Sequence, residues 1–499
     1  MVRRLASDVR RAWRCAGVKR GLLGSALIFV GSLTPAYLPQ NTPWWQPLRA
    51  LGLDSWPASV AGTAAVVAGV ILMLHSWLGL RPGSGADVKF WAVALLWSLP
   101  LLIAPPVFSH DAYGYAAEGW LLRNGLNPYD FPVSALPGSF ADQAAWVWRY
   151  DTAMYPPLSL LIFAGVVVAT GQDPYLSAVG MRAPAVAGVA MIGYFLPRIA
   201  RRVGVDPVRA AWFTSINPLL LIDLVGGAHN DALMMGLVVW ALWLAASRPK
   251  WVPRRLVRLL GKRGTLVWGL VAPSIVLGVA ACVKQPAFLA AYPVALLGHS
   301  WTRLDWPQTW RSAARVLGCL AVSAAVFAGI SLASGLGFGW VKAAAVPGKI
   351  VTLAPFSLVG TGLEYVVAWL TDQATGDLVY SAFRALGLVL TLAVIVWLGF
   401  GLGRRRPLAF LSWSWLAFAF CGYSMYSWYL TWGGSLLPLA SPGRRAEQAA
   451  VVVTSALLAY EAGNLSWRND AVALGMAALA IVAAMLVRHH RKPRVAMPG

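Results

Sequence analysis

Apolar runs of roughly twenty residues, the length a helix needs to cross a bilayer, recur along the chain and are separated by short breaks rich in Arg and Lys. The pattern predicts spans over 21–39, 57–80, 89–108, 179–198, 208–225, 229–247, 265–283, 286–299, 313–334, 379–402, 407–423, 428–441, 446–463 and 469–488, about fourteen in all. Two further apolar segments, 157–171 and 358–371, would put basic stretches such as Arg198–Arg202 and Arg404–Arg406 on the wrong side if both crossed. The positive-inside rule therefore assigns them as interfacial or re-entrant.

With both termini cytoplasmic, 32 of the 41 basic residues fall in inner segments, while 14 of the 19 acids fall outside. The chain then divides into 1–108 (basic tail and first three spans), an outer segment 109–178, central spans over 179–334, a second outer segment 335–378, and 379–499 (last spans and basic tail). Unstructured connectors rarely exceed about 15 residues, and both outer segments are rich in Trp, Tyr and Pro, so they are expected to form a cap of interfacial helices and loops. The expected fold class is an all-α polytopic membrane bundle.

Composition agrees. Hydrophobic residues make up 58% of the 499 and charged residues 12%, with mean hydropathy +0.63, against about 45–50% and 25% in soluble domains. The net charge of +22 would suggest a polyanion partner in a soluble protein, but the topology accounts for most of it, and nucleic acid is not expected. The four cysteines form no CxxC pair, so neither a zinc site nor a disulfide framework is indicated. The run Gly21 to Tyr37 lacks a small-residue cleavage site and leads to more such runs, which favours a first membrane helix over a signal peptide.

Chemistry concentrates at the predicted outer surface. Phe108-Ser109-His110-Asp111-Ala112-Tyr113-Gly114-Tyr115 follows the third span, with Glu118 and Gly125-Leu126-Asn127-Pro128-Tyr129 beyond. Asp111 can meet a polar head group whose lipid tail stays in the bilayer, or cap a short helix running through Glu118. A second cluster comprises Asn217-Pro218, Asp223 and Gly226-Gly227-Ala228-His229-Asn230-Asp231. Ionisable groups at a membrane are functional by default because their burial is costly, although turn chemistry also favours Asn, Asp and His. His110, Asp111, His229 and Asp231 include metal-ligating types without HExxH-like spacing. A divalent metal is thus an alternative that the spacing does not indicate, and no tightly bound cofactor is expected. Outer cations, Arg182, Lys284, Lys342 and Lys349, suit a lipid-linked phosphate, with snorkelling as the other reading, chiefly for Lys342. Tyr423, Tyr426, Trp428, Tyr429 and Trp432 could stack on sugar, but for most of them an interfacial aromatic belt is the expectation.

A carboxylate base, outer cations and aromatics on a many-helix membrane protein describe a glycosyltransferase with a lipid-phosphate donor. The motifs resemble those of the actinobacterial polyprenol-phosphomannose-dependent α-(1→6)-mannosyltransferases, multi-spanning GT-C enzymes of lipomannan and lipoglycan synthesis in the cell envelope. The matching pieces are Val107 to Tyr115, Gly125 to Tyr129, Asn217-Pro218-Leu219, Gly226 to Asp231, Val283-Lys284 and Gly337-Phe338-Gly339-Trp340, in the family's order across about 230 residues. Where the family commonly has Tyr-Gly-Pro and Pro-Trp-Tyr, this chain has Tyr155-Pro156-Pro157 and Ser427-Trp428-Tyr429.

The resemblance implies a polyprenyl phosphomannose donor, a mannosylated lipid acceptor and inversion at the anomeric carbon on the outer, periplasmic face of the plasma membrane. Asp111 is then the expected catalytic base. His110, Tyr113, Tyr115, His229, Asn230, Asp231 and Trp340 are expected at substrate, and Lys284, Arg182 and Lys349 at the donor phosphate. A transferase of another polyprenyl phosphate sugar such as arabinose is the alternative, and a transporter or flippase a more distant one, since no related halves are evident.

Overall fold

The computed structural model describes residues 2–39, 41–247, 254–344, 346, 352–422, 424–467 and 475–481. Lys349, Tyr423 and most of the predicted span 469–488 lie outside them. The described elements are all helical, as the apolar pattern requires, because a chain in lipid must satisfy its backbone internally.

Among the described residues, four helices are long and apolar enough to cross a bilayer by length and composition: Trp56–Gly79, Pro174–Arg202, Trp306–Ala333 and Gln373–Gly403. Two bent pairs raise this to six, Arg3–Arg14 with Ala16–Ser32 and Pro207–Ser215 with Leu220–Gly226. Several runs predicted as single spans are divided instead. The run 208–225 bends by 53° at Asn217-Pro218, since proline removes a helical donor and clashes with the preceding turn. The run 286–299 becomes two short pieces, Gln285–Ala290 and Ala291–Leu296, with Pro286 and Pro293 at their starts. The run 428–441 forms Ser427–Leu436 followed by a 3₁₀ turn. Hydropathy registers the apolar run and not the break inside it.

The ambiguous segment 157–171 forms the helix Pro157–Ala169, whose 13 residues reach roughly 20 Å at about 1.5 Å per residue. It packs against the helix Asp111–Arg123, and the contact is close at Gly119, where a Cβ would lie 2.6 Å from the Phe163 carbonyl carbon. The helices Arg182–Arg202 and Asp231–Ala246 likewise meet backbone to backbone through Gly188 and Gly236, a Cβ on the latter falling 2.7 Å from the Gly188 backbone. Small residues permit this approach between membrane helices. These two contacts set where the helices that begin at Asp111 and Asp231 stand.

Candidate active site

Arg182 joins the two acidic motifs. Its buried guanidinium donates to the carbonyls of Leu102, Pro105, Val225 and Gly226 at 2.8–3.2 Å. Those carbonyls lie at or just past the C-terminal ends of Phe90–Ile103 and the π-helical turn Leu220–Gly226, where helices leave unpaired acceptors and partial negative charge. Val107 adds a backbone bond to Gly226. Arg182, expected at the donor phosphate, spends four of its N–H groups on carbonyls and is 3% exposed, so the structure places it as a staple between the motifs.

Beyond this staple each strand of chain passes through one non-glycine residue in the left-handed region, Phe108 at φ 59° and Ala228 at φ 57°, a strain that surrounding structure must hold. The two turns deliver Asp111 and His229 to each other. Asp111 opens its helix, with its N–H donated to the Ser109 hydroxyl, so it both starts the helix through Glu118 and presents a carboxylate beyond it. The nearer oxygen is 3.6 Å from His229 Nδ1, too long for a hydrogen bond, and Tyr115 donates to it at 3.4 Å. His229 is wholly buried and stacks on Trp428, ring centroids 3.8 Å apart.

Asp231 lies deeper. It accepts two bonds from Lys284 Nζ, at 2.8 and 2.9 Å, and one from Trp432 Nε1 at 2.7 Å. Lys284 Nζ also lies 4.7 Å from the Tyr429 ring centroid and 5.3 Å from that of Trp432, within cation–π range. Asn230 donates to the Ser159 hydroxyl and the Val283 carbonyl, tying this motif to the Pro157–Ala169 helix. Asp231 is 0% and Asn230 6% exposed, and neither of these residues, expected at substrate, lines a pocket. Lys284 is not an unpaired cation, since Asp231 takes two of its three donors.

Two pockets adjoin this constellation and share Met154 and Tyr155. The first, about 100 Å³, is lined by Lys284, Tyr429 and Trp432 together with Leu388, Thr391 and Phe418. The second is lined by Asp111, Gly114, Tyr115, Glu118, Trp148 and Asp151. Burial pushes Asp111 up to about 6; the Lys284 charge opposes this, Asp231 adds to it, and hydrogen bonds from Ser109 and Trp148 oppose it. Burial, with Asp111 nearby, pushes Glu118 up to about 8.

Other expected residues stand apart. The Asp111 helix turns its 111, 114, 115 and 118 positions to the pocket, which leaves His110 and Tyr113 to pack edge to face; Trp340, on the helix Trp340–Ala343, packs on Phe327, and none of the three lines either pocket. The belt expectation for the late aromatics is corrected too: Trp428, Tyr429 and Trp432 are buried against His229, Lys284 and Asp231. Ser159 and Trp148, which join the site, carried no signal in the sequence. The Pro156-Pro157 departure opens the Pro157–Ala169 helix, where proline's fixed φ suits the first turn, and leaves the Tyr155 carbonyl to accept from Tyr129 at 2.7 Å. Among the described residues no group of three or more His, Cys, Asp or Glu is arranged to hold a metal ion.

The described residues thus form a helical membrane protein with a carboxylate, Asp111, on one pocket and an aromatic-caged lysine, Lys284, on the pocket beside it. The family model described as the N-terminal domain of alpha-(1->6)-mannopyranosyltransferase matches residues 18–300, and the chain belongs to that family. A protein of Mycolicibacterium smegmatis, named a probable alpha-(1->6)-mannopyranosyltransferase, is 30% identical over 498 residues, covering 94% of this chain and 87% of its own. Alpha-(1->6)-mannopyranosyltransferase A of Mycobacterium tuberculosis is 29% identical, covering 87% and 81%. The Corynebacterium glutamicum protein of the same name is 27% identical, covering 78% and 79%. No solved structure matches the chain.

Proposed function

We propose that the protein transfers mannose from polyprenyl phosphomannose to the 6-hydroxyl of an α-(1→6)-mannan lipoglycan, with inversion, on the outer face of the plasma membrane. The observation that carries this reading is the pair of pockets meeting at Met154 and Tyr155. One combines a lysine with apolar residues of the helices Gln373–Leu398 and Pro407–Cys421. On its other faces the former exposes Leu386, Val389 and Leu392, as a lipid-facing helix would. A phosphate on an isoprenoid tail fits that combination of charge and grease. The neighbouring pocket holds the carboxylate.

In the reaction the bond between the mannose anomeric carbon and the phosphate oxygen breaks, and the phosphate leaves with the electron pair. The acceptor oxygen bonds to the opposite face of that carbon, and its proton passes to Asp111 as general base. Lys284, through its remaining donor, and Lys349 stabilise the charge growing on the phosphate. His229, held by its stack on Trp428, packs beside the Asp111 carboxylate without a hydrogen bond to it. Purified protein supplied with labelled polyprenyl phosphomannose and short α-(1→6)-mannosides should yield an extended product with a new α linkage. Transfer from a polyprenyl phosphate pentose instead, with none from the mannose donor, would overturn the reading.

A further inference from the structure

The second pocket has two features that nothing within the protein accounts for. Gly114 stands inside the helix Asp111–Arg123, where glycine is among the poorest residues, yet a Cβ there would meet no heavy atom within 4 Å. Its backbone is not left-handed either, so neither packing nor conformation demands a glycine. One carboxylate oxygen of Glu118, a turn further on the same face, is shut off from solvent and has no hydrogen-bond partner. Gly114 and Glu118 both line the pocket that contains Asp111.

We infer that this pocket is the acceptor subsite: Gly114 leaves room for the hydroxymethyl arm of the terminal hexose to reach Asp111, and Glu118 hydrogen-bonds the adjacent 4-hydroxyl. The inference rests on the proposed transfer to a 6-hydroxyl and adds where that hydroxyl sits and which residues select it. The cavity, about 20 Å³, holds one or two water-sized groups, enough for the arm while the ring stays outside. Trp148, on the same pocket as Asp111, offers an apolar face for the ring. Glu118, with its pKa pushed up by burial and by Asp111, keeps its proton near neutrality and can donate to a sugar oxygen. Asp111, lower, is left to accept one.

The test uses the full-length protein in lipid nanodiscs, with an α-(1→6)-mannobioside as acceptor. Gly114→Ala, a favourable change for an isolated helix, should raise the acceptor KM at least tenfold, with the donor KM within twofold and no loss of thermal stability. Glu118→Ala should abolish the preference of the native protein for the mannobioside over its 4-deoxy analogue. Mannobioside binding, followed by saturation-transfer NMR without donor, separates this inference from the reaction. Binding that Gly114→Ala weakens, in a protein that transfers no mannose, would sink the reaction and keep the subsite. An acceptor KM unchanged in Gly114→Ala, a parallel rise in donor KM, or no mannobioside binding by the native protein would overturn the subsite.

Discussion

Lys284 and Asp231, 53 positions apart, close a bidentate ion pair at 2.8 and 2.9 Å with side chains 9% and 0% exposed. The pair ties the start of the Asp231–Ala246 helix to the end of the Arg254–Val283 helix, and it brings a cation to the edge of an apolar pocket without leaving an unpaired charge there. The same lysine thus serves packing and, in the proposed function, the donor phosphate.

Separating those roles requires both partners. Lys284→Met leaves the Asp231 carboxylate buried without its cation and should destabilise the protein by about 3–5 kcal/mol. Adding Asp231→Asn should recover much of the loss in thermal stability. Polyprenyl phosphate affinity should stay low in the double variant, because the cation is still missing. Restored affinity would confine Lys284 to a structural role.

Arg182 has the opposite expectation. Arg182→Met strips four backbone carbonyls of a charged donor and should lower stability by about 3 kcal/mol or more, each such bond contributing about 1.5–3 kcal/mol. Arg182→Lys should rescue little, since an ammonium cannot reproduce the planar fork. Affinity for polyprenyl phosphate in the folded fraction should match the native value. A selective loss of affinity without a change in melting would return Arg182 to the donor.

The acidity of Asp111 sets a pH dependence. Its folded value of about 6 lies above its ordinary 3.8, so the folded protein holds a proton that the unfolded chain releases between these values. This group's contribution to stability therefore falls as pH rises through that window. Activity moves the other way: kcat/KM should rise with pH through about 6 as the carboxylate becomes available. Asp231→Asn removes a charge that pushes Asp111 up and should move this acid limb to lower pH. A limb that does not move would separate the limb from Asp111.

Topology can be read by labelling from each side of the membrane, with Cys15 and Cys421 first removed. Exposed Asp130→Cys and Leu176→Cys should react from outside, and Arg255→Cys only from the cytoplasm. Reaction of position 176 from the cytoplasm alone would make Pro157–Ala169 a crossing helix and part the two acidic motifs.

Asp111, His229, Asp231 and Lys284 were legible because polar groups in apolar surroundings are costly and rare, so their positions alone mark them. Their division of labour was not. Buried supports and substrate contacts share residue types, and only the geometry separates Asp231, closed in by Lys284 and Trp432, from Asp111 at a pocket. Trp428, Tyr429 and Trp432 read as a belt since belts and aromatic cages have one composition. Arg182 read as a phosphate ligand because its partners are backbone carbonyls, which no side-chain pattern reveals. The helical character follows from hydropathy, while the breaks at Asn217-Pro218 and Pro286 do not, because hydropathy averages across the interruption that each proline makes.

Asp111→Asn separates a proton acceptor from a residue that only starts a helix, because the amide keeps the size and loses the proton acceptor. The measurement is single-turnover transfer from labelled polyprenyl phosphomannose to an α-(1→6)-mannobioside, with donor binding followed in parallel. General bases contribute about 10² to 10⁴-fold; a loss in that range with donor affinity intact is the predicted result. A loss below roughly threefold would contradict the account and leave Asp111 as the first residue of a helix.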